Sequence, residues 1–295
     1  MISDFIAAVV ITAGIAFSAN PDPVQLVKTI EQQIFPEPAN PFEKHGKFER
    51  MKIVYTAMGK EVVLTAEDVI DWVRFWPDGH WDIDDDKIAE YITYLQSEFN
   101  TSGHTKYLKT TMGDTVAIEK GDYGWKINRA EEIREISQLL RNNGTTYHEL
   151  HFEKTAALTG DPYRDYGDSY IEIDLSKQVL WMYEEGDLTL VSNIVSGQMY
   201  SDRQTPSGVY SLYYKQAPAV LVGADYETPV SYWMPFNGGI GLHDATWQPS
   251  FGGDACYYRG SHGCINLPLE IAGAIYEKIE KGFPILCYYS NPEEE

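Results

Sequence analysis

The chain has 295 residues, 43% of them hydrophobic and 13% aromatic, which is the composition of a globular protein with a buried core. Its 44 acidic against 23 basic residues leave a net charge of −21, which excludes nucleic acid as a partner, because phosphate binding needs a positive face. Three cysteines, Cys256, Cys264 and Cys287, with no C-x-x-C pair exclude a disulfide framework and a thiolate zinc site.

Phe5 to Phe17 (FIAAVVITAGIAF) is an apolar run, short for a membrane span but of the length of a signal-peptide core. Small residues in Ala16-Phe-Ser-Ala19 supply a cleavage point, yet no Lys or Arg precedes the run. Residues 1–19 therefore read as an export signal or membrane anchor, or else as a buried helix. Asp22-Pro23 predicts a helix start, running to about Phe35, and Pro36, Pro38 and Pro41 mark a linker that closes residues 20–49.

Residues 50–150 read as a smaller α+β domain. Met51 to Ala57 is strand-like. Thr65-Ala-Glu-Asp68 has the form of a capping box, opening a helix whose apolar face is Val69, Ile70, Trp72 and Val73. A second helix starts near Asp84 and carries Ile88, Tyr91, Ile92 and Leu95. The acidic run Asp82 to Asp86 is no calcium loop, since Lys87 and Thr93 stand where the glycine and glutamate belong. Acidic residues at a helix N-terminus explain it instead. A third helix starts at Asn128, with Glu131 three residues on, and ends before Gly144. His148-Glu-Leu-His151 is one residue short of H-E-x-x-H, so no metal is expected.

From about Asp168 the pattern turns to strands. Tyr170 to Leu175 alternates apolar and polar residues, and Val179–Tyr183 and Leu188–Val195 flank a hairpin turn at Glu184-Glu-Gly-Asp187. Further strands are expected at 208–215, 230–236, 239–243 and 283–289, with one helix at about 268–281. Cys287 falls in the last strand as a core thiol, and Cys256 in a loop as a surface thiol or a redox partner of Cys264. The chain from about Asp168 thus reads as a mostly β domain.

The chemistry-bearing stretch is Gly241-Leu-His243-Asp-Ala-Thr-Trp247, then Gly260-Ser-His-Gly-Cys-Ile-Asn266. A cysteine nucleophile needs a base, a group that orients the base, and donors for the oxyanion. His243 ends an apolar strand 21 residues before Cys264, far enough for a loop to return and bring the two together. Glycines around Ser261 and Gly263 let successive amides of His262, Gly263 and Cys264 point one way as oxyanion donors.

These residues resemble the catalytic domain of L,D-transpeptidases, the YkuD or ErfK/YbiS/YcfS/YnhG family. Besides Ser261-His-Gly-Cys264 and His243-Asp-Ala245, Thr205-Pro-Ser-Gly208 is similar to that family's T-P-x-G strand start. Ser231 to Gly239 resembles the segment leading to the base histidine in Gram-positive members. Residues 50–127 are similar to the peptidoglycan-binding-like domain that often precedes it, with Asp122 to Asn128 as its closing segment. The resemblance implies a mostly β, sandwich-like catalytic domain over residues 168–290 and acyl transfer through a Cys264 thioester, with release of D-alanine and formation of a 3→3 cross-link. His243 would be the base, oriented by a backbone carbonyl near Asp244, and His262 would line the pocket. Asn266 stands where other members carry arginine, with Arg259 as a substitute anion contact and Trp247 and Tyr232 as pocket walls. Peptidoglycan stem peptides, a donor tetrapeptide and an acceptor amine, are the implied partners. No cofactor is implied, and the implied location is the cell envelope or wall, with a membrane involved only through an N-terminal anchor. Two alternatives stay open: an L,D-carboxypeptidase that uses water as acceptor, and a non-catalytic wall-binding protein.

Overall fold

The computed structural model describes residues 50–75, 81–142, 144–223 and 227–291. The expected signal, first helix and linker over 1–49 lie outside the described residues. The first half contains β1 (Lys52–Ala57), β2 (Lys60–Thr65), β3 (Val73–Phe75), β4 (Trp81–Ile83), β5 (Lys106–Lys109), β6 (Thr115–Ile118), β7 (Lys126–Ile127), β8 (Thr145–Glu149) and β9 (Phe152–Lys154). Its helices are α1 (Ala66–Val69), α2 (Asp85–Phe99) and α3 (Arg129–Leu139). The strands of the second half are β10 (Tyr170–Asp174), β11 (Val179–Glu184), β12 (Asp187–Asn193), β13 (Gly208–Ser211), β14 (Ala219–Val222), β15 (Glu227–Val230), β16 (Trp233–Asn237), β17 (Ile240–Asp244), β18 (Ile265–Leu267) and β19 (Pro284–Tyr288). Two helices, α4 (Ala255–Arg259) and α5 (Leu269–Lys278), stand among them. The fold is α+β and mostly β, as expected.

Packing divides the chain into two compact units. Among the described residues the smaller holds 50–53, Leu64–Asp84 and Leu139–Thr146. The larger holds Val54–Val63, Asp85–Gln138 and the chain from Tyr147.

In the smaller unit the capping box forms: the Thr65 amide donates to Asp68 Oδ2 at 2.8 Å and its hydroxyl at 2.6 Å. The helix it opens is only one turn long. Ile70–Trp72 tightens into a 3₁₀ turn, and Val73 leaves as a strand opposite Ile83, so the expected continuous apolar face is split. Strand pairing of the β-branched Val73 overrides the helical spacing.

In the larger unit α2 buries Ile88, Ile92, Leu95 and Phe99, a stripe at helical spacing, with Asp85 and Asp86 in its first turn facing the positive end of the helix dipole. The Asn128 side chain caps α3 by accepting the Glu131 N–H at 3.2 Å. A five-stranded sheet has the order β12-β11-β10-β19-β13, and a three-stranded sheet the order β16-β17-β18. The β11–β12 turn is the expected two-residue hairpin, with Glu185 and Gly186 both at positive φ (53° and 89°). Ile173, Leu180 and Met182 of the first sheet, Met234, Phe236 and Leu242 of the second, and Ala272 and Ile275 of α5 close into one core cluster.

The polar residues of the alternating strand β10, Glu172 and Asp174, are fully buried. Glu172 accepts from distant segments, the Thr111 hydroxyl at 2.8 Å and the Tyr288 hydroxyl at 2.7 Å, whereas Asp174 accepts the Ser176 and Lys177 amides of its own turn and the distant Ser290 hydroxyl, all at 3.0 Å. The expected strand 230–236 is two strands. The Ser231 and Tyr232 amides between them donate to Asp244 Oδ1, both at 2.8 Å, instead of to a ladder. Strand 208–215 ends at Ser211, and β14, β18 and α4 were not anticipated.

Candidate active site

Strand β17 carries His243 and β18 begins one residue after Cys264. The two strands are parallel, with Leu242 beside Ile265 and His243 beside Asn266. Paired residues share a face of a sheet, and so do residues two apart on one strand. His243, Asn266 and Cys264 therefore present to the same side, and all three line one cavity of about 450 Å³. Leu221, Thr228, Trp247, Gln248, Arg259 and His262 complete much of its wall.

His243 is buried between two indoles, with Trp233 and Trp247 each at 5.9 Å between ring centroids. Its Nδ1 lies 2.9 Å from the carbonyl oxygen of Asp244. A carbonyl only accepts, so the proton sits on Nδ1, and Nε2 is left as a proton acceptor. Burial lowers the His243 pKa below the ordinary histidine value, and the Asp244 carbonyl opposes this only in part. Burial pushes the Cys264 thiol up to about 11. The resting pair at neutral pH is therefore an imidazole and a thiol, not an ion pair. The thiol lies 3.7 Å from the Gly239 carbonyl.

The turn before Cys264 is held from beneath. Gly263 adopts φ +117°, a conformation that favours glycine, and a Cβ there would come within 2.9 Å of Ile240 Cδ1. Ser261 Oγ donates to the Cys264 carbonyl at 2.6 Å and accepts the Gly263 N–H at 3.0 Å. Thr205, fully buried, donates its hydroxyl to the Gly263 carbonyl at 2.7 Å and accepts the Gly197 N–H at 2.9 Å. The threonine of the T-P-x-G segment is thus a strut under the cysteine turn.

These contacts revise several residue roles. The Gly263 amide, one of the three expected oxyanion donors, is engaged by Ser261 Oγ. The Ser261 hydroxyl shapes the turn. Asp244 contributes through its carbonyl, and its carboxylate ties down Ser231 and Tyr232. Tyr232 is not a cavity wall: its ring packs on Tyr276 of α5 at 5.2 Å. Trp247 is a wall, half exposed. Arg259 lines the cavity and holds Ser250 Oγ at 3.0 Å. The Oδ1 of buried Asn266 has no hydrogen-bond partner among the described residues. Cys256 is no surface thiol: it is buried on α4 in the main core. Cys287 is buried in β19, as expected.

Sequence reasoning missed Leu221 and Thr228, on the β14–β15 hairpin, and Gln248. The alternating Val220, Val222 and Thr228 hinted at strands, but nothing local linked them to His243.

The family of L,D-transpeptidase catalytic domains (YkuD) matches residues 168–287, and a putative peptidoglycan binding domain matches residues 43–148. Among solved structures, a cysteine-to-serine mutant of the Enterococcus faecium L,D-transpeptidase is 31% identical, with a TM-score of 0.61, covering 85% of this chain and 100% of that one. The carbamoyl enzyme formed by Ldtfm with avibactam is 32% identical, with a TM-score of 0.61, covering 83% of this chain and 96% of that one. No curated protein matches. The chain belongs to the L,D-transpeptidase family, with a YkuD catalytic domain preceded by a peptidoglycan-binding domain. It is an enzyme acting on peptidoglycan, and its domains imply a cell-wall or extracytoplasmic location. Among the described residues no helix is long and apolar enough to cross a membrane.

Proposed function

We propose that this enzyme forms 3→3 peptidoglycan cross-links by a two-step acyl transfer through Cys264. The observation that carries the reading is the shared cavity of Cys264 and His243, with the histidine tautomer set by the Asp244 carbonyl. His243 Nε2 takes the thiol proton as Cys264 Sγ attacks the carbonyl carbon of the third stem residue. The negative charge on that oxygen is met by the amides at His262 and Cys264. Collapse breaks the peptide bond, and His243 returns the proton to the amine of the departing D-alanine. A thioester remains. An amine of a second stem then attacks it, His243 removes the amine proton, and the thiol is regenerated. Asn266 Oδ1 accepts an N–H of the donor stem, and Trp247 packs on its side chains. Carbapenems acylate the same sulfur. The domain limits proposed on this reading are 50–150 for wall binding and 168–290 for catalysis.

The test is incubation of the purified protein with disaccharide-tetrapeptide, with products resolved by mass. Dimers one alanine lighter than two donors, absent with Cys264→Ala, support the reading. Tripeptide monomer without dimer makes the enzyme a carboxypeptidase and overturns it. No product together with a thiol inert to a carbapenem reduces the protein to a wall binder.

A further inference from the structure

A second group of chemistry-bearing side chains lies away from the cysteine cavity. Glu132 of α3 is fully buried, and its carboxylate faces two imidazoles: His148 Nε2 at 3.0 Å and His151 Nδ1 at 2.9 Å. One ligand atom from each residue falls in a set whose members all lie within 4.8 Å of one another. The order His148-Glu-Leu-His151 misleads in sequence, because the exposed Glu149 between the histidines is not the partner. The third group comes from α3, 16 residues before His148.

We propose that Glu132, His148 and His151 form a binding site for a divalent metal of the zinc class. Two neutral imidazoles and a carboxylate are a ligand set that suits zinc, with a fourth position left for water. Zinc binds such atoms at about 2.0–2.1 Å, which places tetrahedral ligands roughly 3.3 Å apart. The Glu132–histidine separations already match that spacing, and a small turn of the more exposed His151 ring closes the third side. Charge argues the same way. Among the described residues the ion-pair contacts of the buried Glu132 are these two histidines, with no Lys or Arg. A dication supplies the missing positive charge. The outer contacts are also in place. The His151 amide donates to Glu132 Oε1 at 2.7 Å, fixing the carboxylate, and Tyr55 packs edge-on against His148 at 5.4 Å, fixing its ring. His148 is nearly buried, whereas the His151 side chain is 46% exposed, which gives the ion a way in and water a place. The ion would tie α3 to the segment between β8 and β9.

The experiment uses the full chain carrying Cys264→Ser, which removes a competing sulfur ligand, stripped by chelator and titrated with zinc and with cobalt. One tight zinc equivalent, the visible absorption of four-coordinate cobalt and a higher Tm with zinc are expected. His151→Ala, which leaves most of the fold's contacts intact, should weaken zinc by at least the ~10- to 100-fold that loss of an outer contact alone causes. Glu132→Gln should do the same where it folds. Zinc bound as tightly by His151→Ala as by its parent, or no zinc bound and no Tm shift in the parent, overturns the proposal.

Discussion

His243 and Cys264 are buried in the cavity wall, and burial sets their chemistry. Burial lowers the histidine pKa and raises that of the thiol, so both are neutral when substrate arrives. Acylation by a carbapenem, followed by stopped-flow absorbance, should be flat from about pH 7 to 9 and decline only below the ordinary histidine value near 6.5. The same shift bears on stability. Below about 6.5 the unfolded chain takes up a proton that the folded His243 resists, so stability falls as pH drops through that range. His243→Ala should slow acylation by about 10²- to 10⁴-fold with little change in binding. Iodoacetamide should alkylate Cys264 slowly at neutral pH, because the thiolate is scarce.

At the scale of elements, the cysteine turn is positioned by β18 on one side and Thr205 on the other. Thr205→Val removes the partners of the Gly197 amide and the Gly263 carbonyl, both buried. It should cost about 1–3 kcal/mol for each group, read from urea denaturation, and slow acylation as the turn relaxes. Gly260→Ala should be worse tolerated than a surface change, since a Cβ there meets the Gln198 backbone at 2.3 Å. The glycine pattern Gly260, Gly263 and the threonine of Thr205-Pro-Ser-Gly208 were legible in the sequence as a motif. Their physical reason, a strut, a close backbone approach at Gly260 and a positive φ at Gly263, was not. Nor was the end of α1, where a strand partner outcompetes helical spacing.

At the scale of the molecule, the larger unit is stitched by polar groups that are hidden rather than solvated. Lys106 and Asp165 are almost fully buried, 2.7 Å apart, and Lys106 also donates to the Thr101 and Pro162 carbonyls at 2.9 Å. Lys106→Met strands the Asp165 charge and should cost about 3–5 kcal/mol in denaturant titration. Glu172 likewise joins Thr111 to the central strand β10. Such long-range partners, 61 residues apart in this case, leave no periodic trace.

The sequence by itself determined what is local or carried by a dense motif. Helical stripes in α2, the hairpin turn at Glu185-Gly186 and the Asn128 cap follow from spacing and side-chain type, and the His243–Cys264 pair from the resemblance that its motif carries. Tertiary structure decided whatever depends on which distant segment covers a residue. It took Cys256 and the acids of β10 into the interior and turned Tyr232 onto α5. It also engaged the Gly263 amide with Ser261, and gathered Glu132 with His148 and His151. Burial and hydrogen-bond partnership are properties of neighbours, and for these residues the neighbours come from far along the chain.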